Sequence, residues 1–103
     1  MLYHDFPNGD RIPLLGLGTW KAAAGEVYAA VRHALSIGYR HIDCAPIYGN
    51  EAEIGRALRD AMDAGEVSRD ELWITSKLWN DCHLPESVGP ALQQSLVDLG
   101  VGY

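Results

Sequence analysis

The chain has 103 residues, enough for one small domain at most, and a chain this short builds a thin core. With 48% hydrophobic and 21% charged residues it reads as a folded protein, not a disordered one. A net charge of −6 argues against nucleic acid as a partner, and no run of about 20 apolar residues is present to span a membrane.

Residues 1–13 read as a hairpin. Leu2-Tyr3-His4-Asp5-Phe6 alternates sides, Pro7-Asn8-Gly9-Asp10 supplies an Asn-Gly turn tolerant of positive φ, and Arg11-Ile12 begins the return. Leu14-Leu15-Gly16-Leu17-Gly18-Thr19-Trp20 is too short for a helix and is expected as a buried strand. Val27, Ala30, Val31, Ala34 and Leu35 then form one apolar helical stripe, stopped by Gly38. Residues 39–44 repeat the pattern as a second strand. Asn50 is expected to cap the next helix, with Glu51 and Glu53 in the first turn where the helix dipole favours them. Ile54, Leu58, Ala61 and Met62 make that helix's buried face, and Gly65 ends it. Residues 72–76 are a third strand, followed by a helix over residues 85–99 that should bury Val88, Leu92, Leu96 and Leu99. Pro90 implies that this helix either starts near residue 90 or is kinked in its first turns.

Strand–helix units in succession imply a parallel sheet in an α/β fold. Val101-Gly102-Tyr103 follows a completed helix and reads as the start of a fourth strand, so residues 14–103 hold three βα units and an opening. Three strands cannot close a barrel, and the sequence reads as truncated. Residues 1–50 carry four acids and four bases, and residues 51–103 carry ten acids and four bases, the pattern of solvated helix faces. The N-terminus lacks a basic region followed by an apolar stretch. Cys44 and Cys82 form neither a disulfide framework nor a metal spacing, which points to a reducing, cytoplasmic compartment.

Parallel α/β folds bind ligands at the carboxyl ends of their strands. Those ends carry Thr19, Trp20 and Lys21 on the first unit, Asp43 and then Tyr48 on the second, and Lys77 and Trp79 on the third. A free tyrosine titrates near 10, too high for an efficient acid or base at neutral pH, and a nearby ammonium makes its proton easier to give up. A carboxylate beside that lysine keeps it charged and in place. Tyr48, Lys77 and Asp43 can thus form a relay that hands a proton to a developing alkoxide. Each residue alone also has a plainer reading, as core, surface charge or loop cap. Gly16-x-Gly18 is not a dinucleotide fingerprint, because the third glycine position is Lys21. No metal site is read from Cys82-His83 or His33. His41 either orients Asp43 or is a satisfied core histidine.

Gly38-Tyr39-Arg40-His41-Ile42-Asp43-Cys44-Ala45, five residues, then Glu51-Ala52-Glu53-Ile54-Gly55 resembles a signature of the aldo-keto reductases. Gly16-Leu17-Gly18-Thr19-Trp20, Thr75-Ser76-Lys77-Leu78-Trp79-Asn80 and Asp98-Leu99-Gly100-Val101-Gly102-Tyr103 resemble further blocks in the family's order, closest to its aldehyde reductase and aldose reductase branch. The resemblance implies an N-terminal hairpin before a (β/α)8 TIM barrel and NADPH-dependent reduction of aldehydes and ketones. It implies Tyr48 as general acid with Lys77 and Asp43 as partners. Thr19, Trp20, Lys21 and Asp43 are then expected near the cofactor, and Trp20, Ile47, Tyr48 and Trp79 along the substrate pocket. Barrels of this kind run to about 250 residues or more, so the chain reads as an N-terminal third. A fourth catalytic residue, a histidine, would follow Tyr103. The competing expectation is a non-enzymatic fragment or interaction module that pairs with another half-barrel, or self-associates through its exposed edge.

Overall fold

The computed structural model describes residues 2–103. Met1, the first residue of the expected hairpin, lies outside the described residues. Strands β1 (Tyr3–Asp5) and β2 (Arg11–Pro13) pair antiparallel, with His4 opposite Ile12. Gly9 alone in the connecting turn takes a positive φ, 94°, while its amide closes a turn on the Phe6 carbonyl at 3.0 Å. That is a type I turn with a glycine bulge, so Asn8 need not leave the ordinary backbone regions.

The second sheet is parallel, in the order β3 (Leu17–Gly18), β4 (His41–Asp43), β5 (Trp73–Thr75). Ile42 of β4 lies opposite Leu17 on one side and Ile74 on the other. The expected buried strand over residues 14–20 is therefore corrected to two residues, with Leu14 and Leu15 exposed. Its pairing is cut at both ends. The Leu14 amide donates to Leu2 of the hairpin, and the Thr19 carbonyl accepts from the Asn50 side chain instead of a strand partner.

Helix α1 (Glu26–Ser36) buries Val27, Val31, Ala34 and Leu35, while Ala30, at the margin of the stripe, is exposed. Helix α2 (Glu51–Asp63) buries Ile54, Leu58 and Ala61, with Met62 half-buried. Val27, Val31 and Leu35 meet Ile42, Ile54, Leu58 and Leu99 in a single core cluster. Helix α3 (Pro85–Leu99) starts at Pro85 and passes through Pro90. Proline at the first helical position has its φ already set. Pro90 and Glu86 are both exposed, so water can replace the bond that Pro90 cannot donate. Of the expected buried face of α3, Leu99 is buried, Leu96 is half-buried, and Val88 and Leu92 are exposed. Those two look onto an open apolar cavity of about 330 Å³ between α3 and β5. Residues 101–103 are not in a strand: the Val101 amide closes the end of α3 on Leu96, and the Tyr103 ring lies under the Arg69 guanidinium.

One glycine fixes how α2 and α3 cross. A methyl group at Gly55 would overlap the Asp98 carbonyl oxygen and come within 2.9 Å of the Leu99 carbonyl carbon. Among the described residues no helix is long and apolar enough to cross a membrane.

Candidate active site

The parallel sheet brings three chain segments to one rim. Gly18 is in register with Asp43, and Asp43 with Thr75, so Thr19, Cys44 and Ser76 follow together at the carboxyl ends. Thr19 is buried, and its hydroxyl donates to the Asp43 carbonyl oxygen at 2.8 Å. Two residues beyond β5, the Lys77 ammonium donates to Asp43 Oδ1 at 2.9 Å and to the Cys44 carbonyl oxygen at 2.8 Å. Tyr48 closes a short 3-10 turn (Pro46–Tyr48), which Gly49 ends at φ 71°. Its ring stands under Lys77, with Nζ 5.1 Å from the ring centroid. Asp43, Lys77 and Tyr48 thus share one cluster, in which the ammonium meets the carboxylate directly and the phenol through its ring.

The electrostatics favour a charged lysine. Burial pulls the Lys77 affinity for its proton down, but Asp43 and the neighbouring Tyr48 phenol outweigh it, and the net shift is upward. The Cys44 thiol behind the rim is pushed up to about 12, first by burial and then by the charges of Glu51 and Asp43. It is a packing residue at neutral pH.

The other predicted residues are spread around this cluster. Lys21 is the one described non-glycine residue with positive φ, 59°, and its ammonium sits 4.5 Å from the Trp20 ring centroid. Both side chains are exposed. Ile47 and Trp79 line a cavity of about 480 Å³ together with Lys77, whereas Trp20 and Tyr48 lie outside its lining. His41 does not reach Asp43. Its ring nitrogens meet the Pro13 carbonyl at 3.2 Å and the Thr75 hydroxyl at 3.1 Å, which makes it a satisfied structural histidine. Among the described residues no group of three or more His, Cys, Asp or Glu is placed to hold a metal ion.

Three residues at the start of α2 reach beyond their own helix. The Asn50 side chain does not cap α2; its amide nitrogen donates to the Thr19 carbonyl at 2.8 Å and tethers the first strand end. Glu53 reaches across to α1, where its oxygens accept from the Gly25 and Tyr28 amides at 2.7 and 2.9 Å. It therefore caps a helix whose own N-cap, Gly25, has no side chain to offer. Glu51 is buried and accepts from the Ser76 and Ser95 hydroxyls. A signal for it existed in the sequence. Glu51, Ile54, Leu58 and Ala61 follow helical spacing, so the carboxylate lies on the stripe that faces the core.

Comparison with known proteins identifies the family. The family model described as the aldo/keto reductase family matches residues 14–103. An aldo/keto reductase of Synechocystis is 57% identical over all 103 residues, which span 32% of its length. The solved aldose reductase of Schistosoma japonicum superposes on the whole chain with a TM-score of 0.94 at 50% identity, 34% of that structure being covered. An aldo-keto reductase of Bombyx mori, solved in complex with NADP, gives 0.91 at 41% identity over 99% of the chain and 35% of its own. The chain thus spans about a third of the length of the relatives it matches. It belongs to the aldo/keto reductase family.

Proposed function

We propose that residues 1–103 form the N-terminal hairpin and first three βα units of a (β/α)8 barrel, within an oxidoreductase that uses NADPH to reduce aldehydes and ketones to alcohols. The observation that carries this reading is the Lys77 ammonium, held on Asp43 at 2.9 Å and standing over the Tyr48 ring at the carboxyl end of the sheet. Active sites of (β/α)8 barrels lie at that end.

In the mechanism Tyr48 holds a proton at its hydroxyl and hands it to the carbonyl oxygen of the substrate as negative charge develops there. Lys77 stabilises the phenolate that Tyr48 becomes. Asp43 keeps the ammonium charged and fixed, and the Cys44 carbonyl fixes it from a second direction. A nicotinamide cofactor, when bound, supplies the hydride. The residues of the rim fit such a group. Lys21 offers an exposed cation for phosphate, and Trp20 an exposed aromatic face. Asp43 uses only Oδ1 on Lys77, which leaves Oδ2 to accept from a ribose hydroxyl. Thr19, tied down through both its hydroxyl and its carbonyl, holds the Trp20–Lys21 turn in place. Trp20, Ile47, Tyr48 and Trp79 supply apolar surface for the substrate. A cytoplasmic location agrees with the two free thiols, Cys44 and Cys82.

The exposed apolar cavity between α3 and β5 favours a second reading, in which this chain alone is a non-enzymatic module that needs a complementary half. One assay separates the two. Aldehyde-dependent oxidation of NADPH by the whole protein that carries this chain supports the enzyme. Absence of turnover there, with a stable complex between the chain and a partner, supports the module.

A further inference from the structure

Glu51 is the one described carboxylate closed off from solvent, 4% exposed, and neither of its oxygens meets a cation. Its Oε2 accepts from the Ser76 hydroxyl at 2.6 Å and its Oε1 from the Ser95 hydroxyl at 2.9 Å. A buried carboxylate is costly, and packed apolar residues in its place are often as stable or more so. The first turn of α2 offsets only part of that cost through the helix dipole. The reason for retaining the charge lies in what the two hydroxyls are attached to. Ser76 is the residue before Lys77, and Glu51 is three residues after Tyr48, joined to it by Gly49 and Asn50 alone. Ser95 belongs to α3, which carries none of the proposed proton-transfer residues.

We infer that Glu51 is a positioning residue for proton transfer: through Ser76 it clamps the strand end that carries Lys77 against the turn that carries Tyr48, and so sets the distance between ammonium and phenol. This rests on the reading of Tyr48 as the proton donor. The carboxylate suits the task because both oxygens accept, so two serine hydroxyls must point at it and neither can turn away without leaving it unpaired. The two links have different consequences. The Ser76 link governs the geometry of the reacting groups, and the Ser95 link governs only how α3 sits.

The test compares Ser76→Ala, Ser95→Ala and Glu51→Gln in the whole protein, by kcat, KM, NADPH affinity and thermal midpoint. Ser76→Ala should lower kcat on the order of ten- to a hundredfold, as small displacements of reacting groups do. It should leave KM and NADPH affinity at the parent's values. Ser95→Ala should lower only the thermal midpoint. Glu51→Gln leaves one accepting oxygen where two hydroxyls donate, so it should lower kcat in the direction of Ser76→Ala and the thermal midpoint in the direction of Ser95→Ala. Equal effects of the two serine variants, or a kcat left at the parent's value by Ser76→Ala, would overturn the inference. Tyr48→Phe in the same assay separates the two failures. If that variant turns over normally, the proton-donor reading is what has failed.

Discussion

Replacing Gly55 by alanine should destabilise the protein, although alanine is the better helix former. In a free helix the change gains about 0.8–1.0 kcal/mol. Here the added methyl would overlap the Asp98 carbonyl oxygen and stand 2.9 Å and 3.0 Å from the carbonyl carbon and Cα of Leu99. Ordinary carbon contacts are about 3.5–4.0 Å. The obstruction is backbone, so no side chain can swing aside and α3 must retreat as a unit. Overpacking of this kind costs about 1–3 kcal/mol, occasionally more. Retreat also uncovers Leu99, which is 3% exposed and whose full burial is worth about 1.5–3 kcal/mol. The net expectation is a loss of about 1–3 kcal/mol, several degrees in thermal midpoint. Thermal unfolding of parent and variant, followed by circular dichroism, gives the answer. If Gly55→Ala melts at or above the parent, the close crossing of α2 and α3 is wrong.

Three further outcomes are expected. Backbone amides of α1, Gly25 foremost, hold the Glu53 carboxyl below its ordinary value of 4.5. Its contribution to stability is therefore complete above that value and lost as pH falls through the lower folded value, and Glu53→Gln should flatten that part of a melting-against-pH curve. Of the two thiols, Cys82 should react with an aromatic disulfide reagent in the folded protein, while Cys44, pushed up to about 12 by burial, should react only on unfolding. Fast labelling of both in native buffer would contradict the core. Purified alone, residues 1–103 should self-associate or bind a hydrophobic dye through the exposed Val88 and Leu92 face of α3, and should not turn over. A monodisperse, active monomer would refute that expectation.

Local patterns in the sequence carried much of the fold. The helical stripes of α1 and α2 follow from spacing, because each packs against the other and against β4. The same spacing failed on α3, since periodicity shows which side is apolar but not whether anything covers it: Leu99 reaches the core, and Val88 and Leu92 face open space. Residues 14–20 misled for a related reason. Their apolar run suited a buried strand, but the competing partners of Leu14 and Thr19, on the hairpin and on Asn50, lie far away in the chain. At the rim, strand ends predict which side chains gather, and Asp43, Tyr48 and Lys77 do gather. Helical spacing placed Glu51 on the buried stripe, but the long-range partners of Asn50, Glu51 and Glu53 were not legible locally. Each sits at the start of one helix, where capping and dipole are sufficient local reasons, and each serves a different neighbouring segment.

The central claim is that Tyr48 donates the proton in NADPH-dependent carbonyl reduction. Its most direct test is the single-turnover reduction of an aldehyde by the whole protein, parent beside Tyr48→Phe, with NADPH affinity measured on both. Phenylalanine keeps the ring under Lys77 and removes only the hydroxyl. Unchanged NADPH affinity is expected, with a rate lower by a factor on the order of 10² to 10⁴, the usual worth of a positioned proton donor. An equal rate in the two proteins would contradict it.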